Sequence, residues 1–145
     1  MSGIILFLRK YILYIAFMQA LVASFGSLYA SEVAHIVPCV LCWYQRICMY
    51  PIVLLLTVGI VKKDKHISSY ILPLSSIGLV IAIYHYLLQM GVIPESIAPC
   101  TAGISCASRL VQWYGFITIP FLSMVAFAVI TACMLFFNKQ KNYVK

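Results

Sequence analysis

With 145 residues, of which 64% are apolar and 9% charged, the chain falls far below the roughly 25% charged content of soluble domains. A soluble fold of this size could not hide so much apolar surface, which leaves the lipid bilayer as its solvent. The net charge of +7 would suit nucleic acid on a soluble protein, but the basic residues form short clusters between long apolar runs and make no broad basic face, so they read as orientation signals and no nucleic-acid partner is expected.

Four runs reach the length of about 20 apolar residues that crosses a bilayer. In chain order they cover about 11–30, 43–61, 67–90 and 115–137. Backbone groups in lipid need partners within their own segment, so each run should be a helix. The first carries no charge and is longer than the apolar core of a secretion signal, about 7–15 residues, so it is expected to stay as a span. The second is interrupted only by Arg46 and the third carries His85. Pro73 and Pro120 are candidates for bends in the third and fourth helices. With no repeats and no low-complexity linker, the expected fold is an all-α membrane protein, a single four-helix bundle over 1–145.

Its orientation follows from the basic residues beside the spans. Arg9, Lys10, Lys62, Lys63, Lys65, Lys139, Lys141 and Lys145 fall on one side, and Arg109 on the other, joined by Arg46 if it reaches the surface. The basic side should be cytoplasmic, with both termini and the 62–66 turn. Loops 31–42 and 91–114 then face outward. Trp43, Tyr44, Trp113 and Tyr114 suit anchors at the membrane–water interface.

This topology places one cysteine pair in each outer loop, in the compartment where disulfides persist: Cys39 with Cys42, and Cys100 with Cys106. Cys48 and Cys133 fall inside spans and read as small buried apolar residues. Cys39-Val40-Leu41-Cys42 is a C-x-x-C, a spacing associated with thiols of lowered pKa. Cys42 is expected at a helix N-terminus, and Arg46, four residues on, shares its face, so both should favour a Cys42 thiolate. Four cysteines could instead hold structural zinc, but the C-x5-C spacing of the second pair departs from the usual ligand spacing, and no metal is expected. Two inert structural disulfides are the other plain alternative.

Arg46 and His85 should lie roughly 5 and 8 Å below the outer ends of their helices, at about 1.5 Å per residue. Gln89 follows His85 on the same face. If the second and third helices are neighbours, Cys42, Arg46, His85 and Gln89 border one apolar site with polar groups at its head. A quinone has the matching shape, a ring with two acceptor oxygens and a lipid tail. The chain has no signature for flavin, haem or nucleotide.

At these residues the sequence resembles the DsbB family of disulfide-forming membrane oxidoreductases, and its short-loop BdbC type most. Pro38-Cys39-Val40-Leu41-Cys42-Trp43-Tyr44-Gln45-Arg46 is similar to the family's P-C-V-L-C-x-Y-x-R segment, and His85-Tyr86-Leu87-Leu88-Gln89 to its H-x-x-L-Q stretch. The resemblance implies a multi-pass protein of the bacterial cell membrane in which all four outer cysteines are catalytic. An extracytoplasmic thioredoxin-like partner of the DsbA or BdbD type would reduce Cys100–Cys106, the electrons would pass to Cys39–Cys42, and Cys42 would pass them to a quinone held by Arg46, His85 and Gln89. Menaquinone is the expected acceptor and ubiquinone the alternative. Two departures stand out: only five residues separate Cys100 from Cys106, where better-known members have a longer segment, and Gln45 replaces an acidic residue. Vitamin K epoxide reductase also pairs cysteines on four core helices, but its C-x-x-C comes late in that core, whereas this one precedes the second helix.

The charge asymmetry makes a direct prediction: after mild reduction, an impermeant maleimide added to intact cells labels Cys39, Cys42, Cys100 and Cys106. Labelling only after lysis would reverse the topology.

Overall fold

The computed structural model describes residues 2–94, 96, 100, 105, 106 and 118–143, and the side chains of residue 7 and of those from 11 to 139 among them. Arg109, Trp113 and Tyr114 lie outside the described residues. Among the described residues there are four helices: α1 (Ser2–Glu32), α2 (Val40–Lys62), α3 (Ile67–Gln89) and α4 (Ile119–Tyr143). All four are long and apolar enough to cross a membrane. Packing runs in a closed ring, α1 on α2, α2 on α3, α3 on α4 and α4 on α1. One end of the bundle therefore collects the C-termini of α1 and α3 and the N-termini of α2 and α4, with the cysteine loops. The other end carries the exposed Lys62, Lys63, Lys65 and Lys139.

The helices are inside out relative to a soluble bundle. On α3 the buried stripe is Ile67, Ile71, Ser75, Gly78, Ala82, His85 and Gln89, while Tyr70, Ile77, Val80 and Ile83 point outward. On α2, Gln45 is buried between Leu41 and Met49, and Leu54 and Val61 are 68% and 75% exposed. Lipid gains nothing from burying leucine against leucine, so small and polar residues share the helix contacts with Ile52, Leu56, Ile71 and Ile130, and many other aliphatic residues face outward. Gly78 shows why small residues matter: a Cβ there would collide with the ring of Phe127, a fully buried residue of α4.

The ends are set by local chemistry. Lys63 closes α2 in the left-handed conformation at φ 52°, with its N–H on Ile60 O at 3.3 Å and the Asp64 N–H on Gly59 O at 3.0 Å. Asp64 Oδ1 accepts the His66 N–H at 2.8 Å and turns the chain into α3. Gly91, at φ 75°, supplies the left-handed residue after α3 at no steric cost.

Several boundaries differ from expectation. α2 begins at Val40 rather than 43, because the C-x-x-C segment is itself the first turn. α1 and α4 run on past the apolar runs at the lysine end, where a helix needs no lipid to persist. Pro120 falls in the first turn of α4, where its missing N–H has no intrahelical role, so it starts the helix rather than bending it. Pro51, unremarked in the sequence reading, lies inside α2, and Pro73 inside α3.

Candidate active site

The cysteine end is organised around one cluster. Cys39, Leu41, Leu88 and Cys106 are buried together, with Cys42 and Cys100 packed against them. All four expected redox cysteines thus meet, although 60 residues of chain separate Cys39 from Cys100. Cys48 and Cys133 stand apart, half-buried against the main core between the helices.

The two pairs differ in state. Cys100 and Cys106 form a disulfide with Cα atoms 5.9 Å apart. Cys39 and Cys42, expected as a second disulfide, are free thiols whose sulfurs share a hydrogen bond across 3.1 Å. The bonded outer pair also removes two of the four ligands that a four-cysteine zinc site would need. Among the described residues, Cys39, Cys42 and His85 do bring three ligand atoms within 4.8 Å of one another.

The start of α2 at Val40 moves the helix cap from Cys42 to Cys39. Cys39 is the N-cap, in extended conformation, and its sulfur accepts the Cys42 N–H at 3.4 Å. The positive end of the helix therefore acts on Cys39. The hydrogen bond to the Cys42 thiol does most to pull the Cys39 thiol from its ordinary 9.0 down to about 4; His85 and the Cys42 N–H assist, and burial opposes. The sequence placed the thiolate on Cys42 at the helix end; the observed cap turns that end toward Cys39.

His85 joins the two pairs. It is 1% exposed, and its Nε2 lies 3.6 Å from Cys39 Sγ and 3.3 Å from the Cys106 carbonyl oxygen. On the other side of the ring, Gln45 Nε2 sits 3.2 Å from Nδ1. An amide nitrogen only donates, so Nδ1 accepts and the proton of the neutral ring is on Nε2, facing the cysteines. Gln45 is a residue that sequence reasoning passed over except as the substitute for an acid. Its signal was a polar side chain within a span, three residues beyond Cys42.

Arg46 reaches across to α1. Its Nε donates to Ser27 Oγ and its Nη2 to the Ser27 carbonyl oxygen, each at 2.7 Å, and its guanidinium stacks 5.5 Å from the Trp43 ring centre. It is a clamp between α2 and α1 rather than a charge laid along the membrane surface. Two of its five N–H donors are used in this clamp.

A cavity of about 650 Å³ opens beside these groups, walled by residues of all four helices. Cys39, Cys42, Arg46, His85 and Gln89 all border it, and so does Gln45. Away from this polar rim its wall is mainly apolar, including Val22, Met49, Leu122 and Phe127. An apolar chamber with a few convergent polar groups is the usual form of a small-molecule site.

Comparison with known proteins agrees with this arrangement. Residues 9–137 match the family model described as Disulfide bond formation protein DsbB. The chain is 43% identical to Disulfide bond formation protein C of Bacillus subtilis (strain 168), over 92% of this chain and 97% of that one. It is 46% identical to the SPbeta prophage-derived disulfide bond formation protein B of the same organism, over 79% and 76%. A probable disulfide formation protein of Coxiella burnetii (strain CbuK_Q154) is 40% identical, over 93% and 94%. No solved structure matches the chain.

The cap geometry predicts the acid–base behaviour of the reduced pair. Because the Cys39 value is lowered, its thiolate survives as pH falls from neutral and is half lost near pH 4. The ultraviolet thiolate absorbance of the reduced protein, taken as the difference from Cys39→Ser, should show that midpoint, and His85→Ala should move it upward. A midpoint at the ordinary thiol value would contradict the cap. With paired cysteines, four spanning helices and a family match over nearly its whole length, the chain belongs to the DsbB family and is a membrane oxidoreductase of disulfide bond formation.

Proposed function

We propose that the protein reoxidises an extracytoplasmic thioredoxin-like partner of the DsbA or BdbD type and delivers the electrons to a quinone in the membrane. The observation that supports this most is the placing of an oxidised pair, Cys100–Cys106, and a reduced pair, Cys39 and Cys42, in one cluster at the mouth of an apolar cavity. Dithiols alone cannot make net disulfides, because two electrons must leave for each bond formed.

The relay needs only thiol–disulfide exchange. A partner thiolate attacks one sulfur of Cys100–Cys106, forms a mixed disulfide and releases the other sulfur as a thiolate. The second partner thiol displaces the mixed disulfide, so the partner leaves oxidised and Cys100 and Cys106 remain as a dithiol. That dithiol exchanges in turn with a Cys39–Cys42 disulfide. Cys100–Cys106 is restored and Cys39 and Cys42 become the reduced pair, which is the pairing of the structure. Closing Cys39–Cys42 again releases two electrons and the proton held between them; the second proton that a quinone needs returns from the water that took it when the Cys39 thiol ionised.

The cavity fits a quinone on its own features: apolar walls for the ring and tail, and Arg46 with donors to spare at the rim. Bound there, the quinone supplies the sink for two electrons and two protons. Arg46 would hold a carbonyl oxygen through the N–H groups that Ser27 leaves over. His85, its Nε2–H fixed by Gln45, would keep the charge of the reduced pair on Cys39 and hold the carbonyl of Cys106 beside it. Gln89, one turn from His85 on the same wall, would bound the ring. Menaquinone is the acceptor proposed, with ubiquinone the alternative, and the lysine-rich end supports a cytoplasmic placement opposite the cysteines.

The test is steady-state quinone reduction with a reduced thioredoxin-like protein as donor. Arg46→Ala is expected to raise the KM for quinone roughly tenfold or more, as for loss of a hydrogen bond from a charged donor, with exchange between donor and Cys100–Cys106 nearly unchanged. Arg46→Lys keeps the charge without the planar fork and should fall between. If KM stays constant while donor exchange collapses, Arg46 only braces the helices and the acceptor site lies elsewhere.

A further inference from the structure

We propose that the cavity grips a para-quinone at both ends of its ring, with Ser24 and Tyr50 forming a second polar station one helical turn below Arg46. This rests on the quinone reading above and assigns two residues to it that neither the motifs nor the cysteine chemistry single out.

The two bonds of 2.7 Å from Arg46 to Ser27 lock α1 against α2 at one level. The two helices run in opposite directions, so one turn back along α1 reaches Ser24 and one turn forward along α2 reaches Tyr50. Both residues border the same cavity as Arg46. A helical turn advances about 5.4 Å. That is close to the span between two carbonyl oxygens on opposite carbons of a six-membered ring.

The second observation is the state of the two hydroxyls. Ser24 is 9% exposed, and both Ser24 Oγ and Tyr50 OH are shielded from solvent with no hydrogen-bond partner among the described residues. Buried polar groups are nearly always paired, so two partnerless donors carried by residues of one cavity wall call for an acceptor, which a molecule bound in that cavity can supply. Ser68, Thr118 and Thr131 also bury hydroxyls without a partner, but none of them borders the cavity. Ser24 and Tyr50 are set apart by belonging to the wall of one chamber.

The chemistry is complementary. A quinone carbonyl only accepts, and both hydroxyls can donate. Arg46 would take the oxygen nearer the cysteines, and Ser24 and Tyr50 the one farther from them. The ring is then held at a fixed depth and tilt rather than by its tail alone. Benzoquinones and naphthoquinones both satisfy this spacing, whereas a ring with adjacent carbonyls does not.

The experiment uses purified, delipidated full-length protein and a short-chain menaquinone as the probe. Its dissociation constant is measured by quenching of tryptophan fluorescence, and the carbonyl stretches of the bound probe by infrared difference spectroscopy. Reduction of Cys100–Cys106 by dithiothreitol serves as the control for an intact fold. Ser24→Ala with Tyr50→Phe together should weaken probe binding about tenfold, as for loss of a buried hydrogen bond, return one carbonyl band to its unbonded position and leave dithiothreitol reduction unchanged. Arg46→Ala should weaken binding and release the other carbonyl. If Arg46→Ala weakens binding while the Ser24/Tyr50 variant binds as tightly as the parent with unshifted bands, the second station is wrong and the quinone site stands. If neither variant affects binding, both readings fall. Should the double variant lose the fold control, Tyr50→Phe alone removes one oxygen without a change of shape, and its infrared band decides the matter.

Discussion

The site depends on the placement of one imidazole. His85 lies on α3, receives its tautomer from Gln45 on α2, and offers Nε2 to the Cys39 sulfur and to the Cys106 carbonyl. Those three contacts tie together two helices and the long α3–α4 connection. Without them the two cysteine pairs would share a cluster but have no common polar contact. Such a link is worth more inside an apolar cluster than at a surface, because the surroundings screen it weakly and offer no water in exchange.

The membrane explains why this link can be kept. Lipid removes the incentive to bury aliphatic side chains, so the bundle interior is free to hold Ser75, Gly78, His85 and Gln89 on one stripe of α3, with Gln45 facing them from α2. Close packing at Gly78 brings α4 up to α3, and the Arg46 clamp joins α1 to α2. The cavity lies where residues of all four helices meet beneath the cysteines. The same residues that fix the helix register therefore also form the polar rim of the chamber.

The helices were legible because a bilayer demands long apolar runs, and those runs are visible in any order of side chains. The cysteine pairs were legible because thiols are scarce and their spacing carries chemistry. Arg46, His85 and Gln89 could be placed beside Cys42 by counting turns, and they do border one cavity with it. Other features needed three dimensions. The start of α2 at Val40 rather than 43 turned the cap from Cys42 to Cys39, and no charge or apolar boundary within the C-x-x-C marks that shift. Ser27 looked like any small residue in an apolar run, since its role depends on the register of α1 against α2. Gln45 was noticed as a missing acid, whereas its amide is what orients His85. The redox difference between the two pairs was likewise invisible in their spacing.

The central claim is that each disulfide made for the partner costs one quinone. An anaerobic titration of the purified protein with reduced thioredoxin-like partner, following quinone absorbance and partner thiols together, tests it most directly. The account predicts one quinone reduced for each partner disulfide formed. It also predicts loss of both signals in Cys39→Ser or Cys42→Ser, and loss of partner oxidation in Cys100→Ser or Cys106→Ser. Partner oxidation that continues without any fall in quinone, or quinone reduction that survives in Cys42→Ser, would contradict it.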